Sequence, residues 1–165
     1  MRDYSHLAAN CRFVNAEVNA DKTGAVWAGA WASMKNYGHA TIIILTGTLT
    51  ATDTMTITCN QATAVAGTGT KALVFDYWYS GCHGAAVIDD TLVMTAQATT
   101  AMTITGTDDD HIFIIELDAE MLDVDNSFDC FNVAGTSPGA HVCDLQVIYI
   151  LGQARYLPTK SAIID

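Results

Sequence analysis

The sequence predicts an all-β chain, an antiparallel β-sandwich of jelly-roll-like form, and three observations carry that expectation. Apolar and polar residues alternate with period two along much of the chain. Thr, Ile, Val, Tyr and Phe fill the alternating segments, residue types that suit a pleated, half-buried surface. Short Gly-, Ser-, Thr- and Asp-rich connectors separate them, as in a sandwich or barrel of short strands.

Taken in order, candidate strands fall near 11–15, 26–32, 40–46, 53–61, 71–79, 91–97, 101–106, 111–117, 128–134 and 142–151. The third holds the longest aliphatic run, Ile42 to Leu45, which suits a buried strand. In "TMTITCNQA", Met55, Ile57 and Cys59 alternate with Thr54, Thr56 and Thr58. In "KALVFDYWY", Leu73, Phe75, Tyr77 and Tyr79 share one face, and Val74, Asp76 and Trp78 the other. "TAMTITG" repeats the M-T-I-T ribbon, which common period and composition explain without duplication. "HIFIIELD" and "CDLQVIYIL" alternate less, as strands covered on both faces do. "TGTLTATD", "AVAGTGTK", "SGCHGA", "GTDDD" and "GTSPGA" read as turns, with "DDDH" at a hairpin tip. Only "DAEMLD" looks helical, one turn over 118–123 with Asp118 at its N-cap. Residues 1–9 form an N-terminal arm, 10–156 the sandwich domain, and 157–165 a tail whose Pro158 stops the last strand.

Composition narrows the function classes. The 165 residues are 50% hydrophobic and 15% charged, which excludes a disordered chain. Seven Lys and Arg face eighteen acidic residues, for a net charge of -11. The basic residues are scattered, so no surface exists to displace counterions from phosphates, and neither nucleic acid nor an anionic membrane is an expected partner. No stretch reaches the roughly 18 apolar residues of a membrane span, nor does the start carry a signal-peptide core; synthesis in a cytoplasm is expected.

The five cysteines form no CxxC pair, and Cys59, Cys130 and Cys143 sit in strand-like patterns, where a thiol acts as a small buried hydrophobe. No metal or other cofactor is expected. The densest chemistry lies in "DAEMLDVDNSFDCFNV", which holds Asp118, Glu120, Asp123, Asp125 and Asp129. Counted from Asp123 as an EF-hand, Phe128 stands where Gly is needed and Ala134 where the closing Glu is needed, so that calcium loop fails. The stretch reads as a polar connector with Val124, Phe128, Cys130 and Phe131 facing inward. A hydrolase using Asp76, Glu116 and Asp123 would need two of them in one cleft, and spacing cannot show that. "GCHGAAVIDD", with Cys82, His83, Asp89 and Asp90, reads as a Gly-flanked loop; His6, His39 and His141 stand isolated. No GxSxG, P-loop, HExxH or GxGxxG occurs. No catalytic residues are assigned, and the chain is expected not to be an enzyme.

The aromatic residues Trp27, Trp31, Trp78, Tyr77 and Tyr79 fit either a core and subunit interface or a sugar-stacking platform of a carbohydrate-binding or adhesin module. The tail ends in an apolar Ala-Ile-Ile that a monomer gains little by exposing. Candidate interface residues are therefore Trp27, Trp31, Trp78, Tyr79, Tyr156, Leu157, Ile163 and Ile164.

Four phrases in order, "KTGAVWAGAWASMKNYGHATIIILTG", "QATAVAGTGTKALVF", "IIELDAEMLDVDNSFDCFNV" and "IYILGQARY", span about residues 10 to 156. Together they resemble a family of small structural proteins of tailed bacteriophages and prophages, encoded among head-assembly genes. The resemblance implies a capsid decoration, or cement, protein on the virion exterior that binds the major capsid protein, reinforces contacts between its subunits and associates with itself, commonly as homotrimers.

Overall fold

In a computed structural model of the chain, residues 7–50, 52–81, 91–108 and 110–155 are described. A single helical turn, Leu7–Asn10, precedes β1 (Arg12–Asp21); β2 (Trp27–Ala28), β3 (Ala32–Ser33), β4 (Tyr37–Leu49) and β5 (Thr54–Ala62) follow. Then come β6 (Lys71–Ala72), β7 (Phe75–Gly81), β8 (Leu92–Thr99), β9 (Ala101–Thr105) and β10 (Ile112–Asp118). Two 3-10 turns, Ala119–Met121 and Val124–Asn126, lead to β11 (Cys130–Gly135) and β12 (Cys143–Ala154).

The strands form two antiparallel sheets. Sheet A runs β1-β12-β4-β10-β7-β8. Sheet B runs β2-β11-β5-β6, with β3 also on β11 and β9 also on β5. The chain passes back and forth between the sheets, and one core lies between them. Ala40, Ile42 and Ile44 of β4, Phe113, Ile115 and Leu117 of β10, and Leu145, Val147, Tyr149 and Leu151 of β12 line sheet A's inner face. Met55, Ile57 and Cys59 of β5, Met102 and Ile104 of β9, and Phe131 and Val133 of β11 line sheet B's. The expected all-β sandwich is therefore what these residues build.

One expected strand proves to be interrupted and another to be a crossing. The span 26–32 is split, because Gly29 donates to the Val133 carbonyl of sheet B and Ala30 to the Ala16 carbonyl of sheet A. The span 71–79 is split where Leu73, still bonded to Cys59, hands the chain from sheet B to sheet A. "DDDH" likewise joins β9 of sheet B to β10 of sheet A, so it caps no hairpin; Asp108 Oδ2 accepts from Thr105 N at 2.7 Å to shape that turn. The two M-T-I-T ribbons pair with each other, Met55 opposite Ile104, Thr56 opposite Thr103 and Ile57 opposite Met102.

The core holds one polar strut. Tyr149 is fully buried, yet its hydroxyl accepts the Val133 amide at 2.9 Å, tying β12 to β11 across the sandwich. Burial pushes that phenol's pKa far up. Cys59 is also fully buried and its thiol is pushed up to about 12. Cys143, under burial and the nearby Asp21 and Asp144, rises to about 11. Such thiols are packing residues, as the strand pattern predicts.

A candidate interaction face

Side chains directly opposite each other in antiparallel strands share a face. On the outside of sheet A, register therefore lines up Asn15, Ile148, Ile43, Ile114, Tyr79 and Met94 across six strands. A neighbouring row holds Gln146, Leu45, Ile112, Gly81 and Leu92. On the other side, Phe13 and Ile150 continue the apolar surface before it reaches Thr41 and Glu116. Six strands about 4.8 Å apart, with some five residues at about 3.4 Å each, give the face a footprint on the order of 500 Å², in which Ile43, Ile114 and Ile148 are half-buried by their neighbours. A soluble monomer's largest apolar patch is of this size and is often functional.

Sheet B turns a different surface outward. Thr54, Thr56 and Thr58 of β5 face Thr105, Thr103 and Ala101 of β9. Their hydroxyls find partners nearby: Thr58 donates to the Ala134 carbonyl at 3.3 Å, and Thr105 to Asp108 Oδ2 at 3.0 Å. Asn60 donates to Asn132 at 3.2 Å on the same face.

Polar groups close one end of the apolar face. His39 Nε2 lies 2.6 Å from Glu116 Oε2, and Nδ1 lies 2.9 Å from Asp118 Oδ1. Thr41 donates to the same Glu116 oxygen at 2.8 Å. Burial alone would lower the imidazole's pKa, but the bonds to Asp118 and Glu116 together outweigh it and hold it above its ordinary value. His39 is thus not isolated. Glu116 and Asp118 stand two apart on β10, and antiparallel pairing sets His39 against Asp118. The alternation in "IELD" was visible in the sequence; the identity of the partner strand was not.

The acidic stretch is a strap between the sheets. Asp118 holds the N-cap position of the first 3-10 turn and engages His39 of sheet A. Asp123 pairs with Lys71 of sheet B, and that bond together with the Asn126 amide holds its carboxyl below the ordinary range. Lys71 also sits 4.1 Å over the Phe128 ring. Phe131 faces the core as expected, and Phe128 is half-buried. Cys130 is buried but does not face the core: alternation on β11 puts it on the other face with Asn132, where its thiol donates to Asp129 Oδ1 at 3.1 Å. Nor does Val124: it is 57% exposed, because the chain extends at Leu122, buries that side chain instead, and turns the next 3-10 turn outward. Among the described residues no group of three or more His, Cys, Asp or Glu is placed to hold a metal ion. Nor is any described helix long and apolar enough to cross a membrane.

The named aromatics scatter. Trp27 is buried, donating to Met55 Sδ at 3.3 Å, with its ring so close over Gly135 that a Cβ there would stand 2.5 Å from it. Trp31 is half-buried against Gly67. Trp78 packs on the core, edge-on to Phe75. Tyr79 lies on the outer face of sheet A, its ring at 81° to that of Tyr77. No two of these make a coplanar exposed strip, the arrangement a sugar platform requires. Glu116 and Asp123 engage different partners on different sheets. Tyr156, Leu157, Ile163 and Ile164, with Cys82, His83, Asp89 and Asp90, lie outside the described residues.

No family model and no curated protein matches the chain. Among solved structures, its fold is similar to that in the crystal structure of SPBc2 prophage-derived protein YomS. The TM-score is 0.51 at 10% sequence identity, over 87% of this chain and 94% of that one. At that identity the shared property is the fold.

Proposed function

We propose that the chain is a non-enzymatic structural protein of a bacteriophage virion, a decoration or cement protein that binds the outer shell and stabilises contacts between major capsid subunits. The observation that carries this reading is the apolar outer face of sheet A. A sandwich already owns a complete core between its sheets, so a contiguous row of aliphatic side chains on one outer face, with threonines on the other, supports contact of that face with another polypeptide. With its polar rim the face approaches the roughly 800 Å² per partner of a stable interface.

Other features support the same reading. The fold likeness is to a protein of prophage origin. A net charge of -11 keeps many free copies apart and off DNA before they reach the shell. The carboxylates of the strap bind their own histidine and lysine, which suits a stabilising role better than acid–base chemistry.

The test is co-sedimentation with heads of the phage or prophage that encodes the chain. Saturable binding at a fixed ratio to the major capsid subunit, with heads more resistant to heat or chelator, is the expected result. Protein left wholly in the supernatant, with unaltered heads, would overturn the proposal.

A further inference from the structure

We propose that β8 is where a second copy of this chain docks, strand to strand and antiparallel across a two-fold axis, so that two sheets A join into one continuous sheet. This contact runs along the edge of sheet A, beside the outer face proposed to meet the shell, and its test does not depend on the shell reading.

β8 is the last strand of sheet A, hydrogen-bonded to β7 on one side only among the described residues. Its eight residues, LVMTAQAT, include no charge, no proline and no glycine. They are also exposed on both faces: Leu92 and Met94 on the outer face are 37% and 53% exposed, and Val93 on the other is 61% exposed. The strand therefore overhangs the sandwich, with sheet B covering little of it. A long, uncharged, apolar edge is a template for strand addition, and soluble proteins blunt such edges with charge or bulges.

The opposite edge of the same sheet is blunted in that way. β1 carries Arg12, Glu17 and Asp21 and breaks register with β12 at two places. Lys22 and Glu17 pair at 2.5 Å beside it. β8 breaks register with β7 once, between Ala96 and Thr99, and carries no charge at all; the contrast with β1 marks β8 as the edge suited to pairing.

Charge selects the partner. In an antiparallel self-pair every residue near the axis meets its own copy or a close neighbour, so any ionised side chain would face its like. In a chain of net charge -11, an eight-residue strand free of acids is what self-pairing requires. Along the regular stretch Leu92–Ala96 the pair would close about five backbone hydrogen bonds over about 17 Å. It would also carry the apolar outer row of Ile43, Ile114, Tyr79 and Met94 across the axis into the second copy. Such a contact is isologous and gives a dimer, which departs from the trimer that the family resemblance implies.

Ala96 lies near the middle of β8 and is exposed, so charge can be placed there without disturbing the fold. The wild-type chain and two variants, Ala96→Glu and Ala96→Lys, are compared by light scattering, with thermal melting as the check on folding. The expected wild-type mass is twice that of one chain. Each variant should dissociate at least tenfold more readily, and an equimolar mixture of the two should recover the dimer. Amide exchange gives a second readout: the amides of Leu92–Thr99 that point away from β7 should be protected in the wild type and exchange in either variant, while those bonded to β7 stay protected in all three. A monomeric wild type, a mass of three chains with exchanging β8 amides, or variants that associate like the wild type would each overturn the proposal.

Discussion

The outer faces of sheets A and B are built from side chains of nearly the same shape and opposite polarity. Ile43, Ile114 and Ile148 fill the centre of one; Thr56, Thr58 and Thr103 fill the corresponding part of the other. All are β-branched and equally suited to a pleated strand, so strand propensity cannot account for the difference. What differs is the need for water. Threonine presents a hydroxyl that bonds to solvent or a neighbouring carbonyl, whereas isoleucine on an open face orders water at a cost of about 25 cal/mol per Å². Sheet B presents a hydrogen-bonding outer surface, and sheet A an apolar one.

If the faces differ only in what lies beyond them, they should share one support. Trp27→Ala, which empties the core beneath sheet B, should cost about 3–5 kcal/mol. Both faces should be lost in a single unfolding transition, read by denaturant melts. Two separate transitions would mean the sheets fold independently, and the comparison would lose its common reference.

The faces can next be exchanged. Ile43→Thr with Ile114→Thr should weaken binding to heads by at least about 30-fold, the loss of a central contact worth about 2 kcal/mol. The matching Thr56→Val with Thr103→Val should leave binding unchanged. Affinity measured for both pairs sharpens the contrast directly.

The strut between the faces comes next in size. Tyr149→Phe leaves the buried Val133 amide without its acceptor and should cost about 1–3 kcal/mol, measured by thermal melting. Loss of cooperativity would be absent, since the ring still fills its site.

The smallest effect belongs to the rim of sheet A. The pKa of His39 is higher in the folded chain than its ordinary value near 6.5. The stability it adds is therefore fully present below about pH 6.5 and is lost as pH rises through the folded value. His39 is partly solvated, so screening keeps the effect to about 0.5 kcal/mol. His39→Gln should abolish that decline in melting temperature across neutral pH while leaving the Thr-lined sheet unaffected.

Much of this architecture was legible in the residues. Alternation in "TMTITC" and "TAMTITG" gave both strands and their inner faces, because period two is a local property of the chain. The run Ile42 to Leu45 misled in one respect: continuous apolarity implies two buried faces, but only Ile42 and Ile44 point into the core. Ile43 and Leu45 point to the outer face of sheet A, where they are half-buried. The crossing at Leu73 was hidden because a strand that changes sheets keeps its composition, and so was the break at Gly29, whose flanks return to the same strand β11. His39 meets Glu116 and Asp118 across 77 and 79 positions of sequence, and no local pattern encodes that pairing. The exposed edge at β8 depends on strand order, which alternation does not supply.

Solvent-accessible footprinting of the free and assembled protein tests the central contrast most directly, with carbene labelling read residue by residue. Ile43, Ile114 and Ile148 should label readily in the free chain and become protected on assembled heads, while Thr54, Thr56 and Thr103 label equally in both states. Protection of the threonine face, with the isoleucines still labelled, would contradict the account.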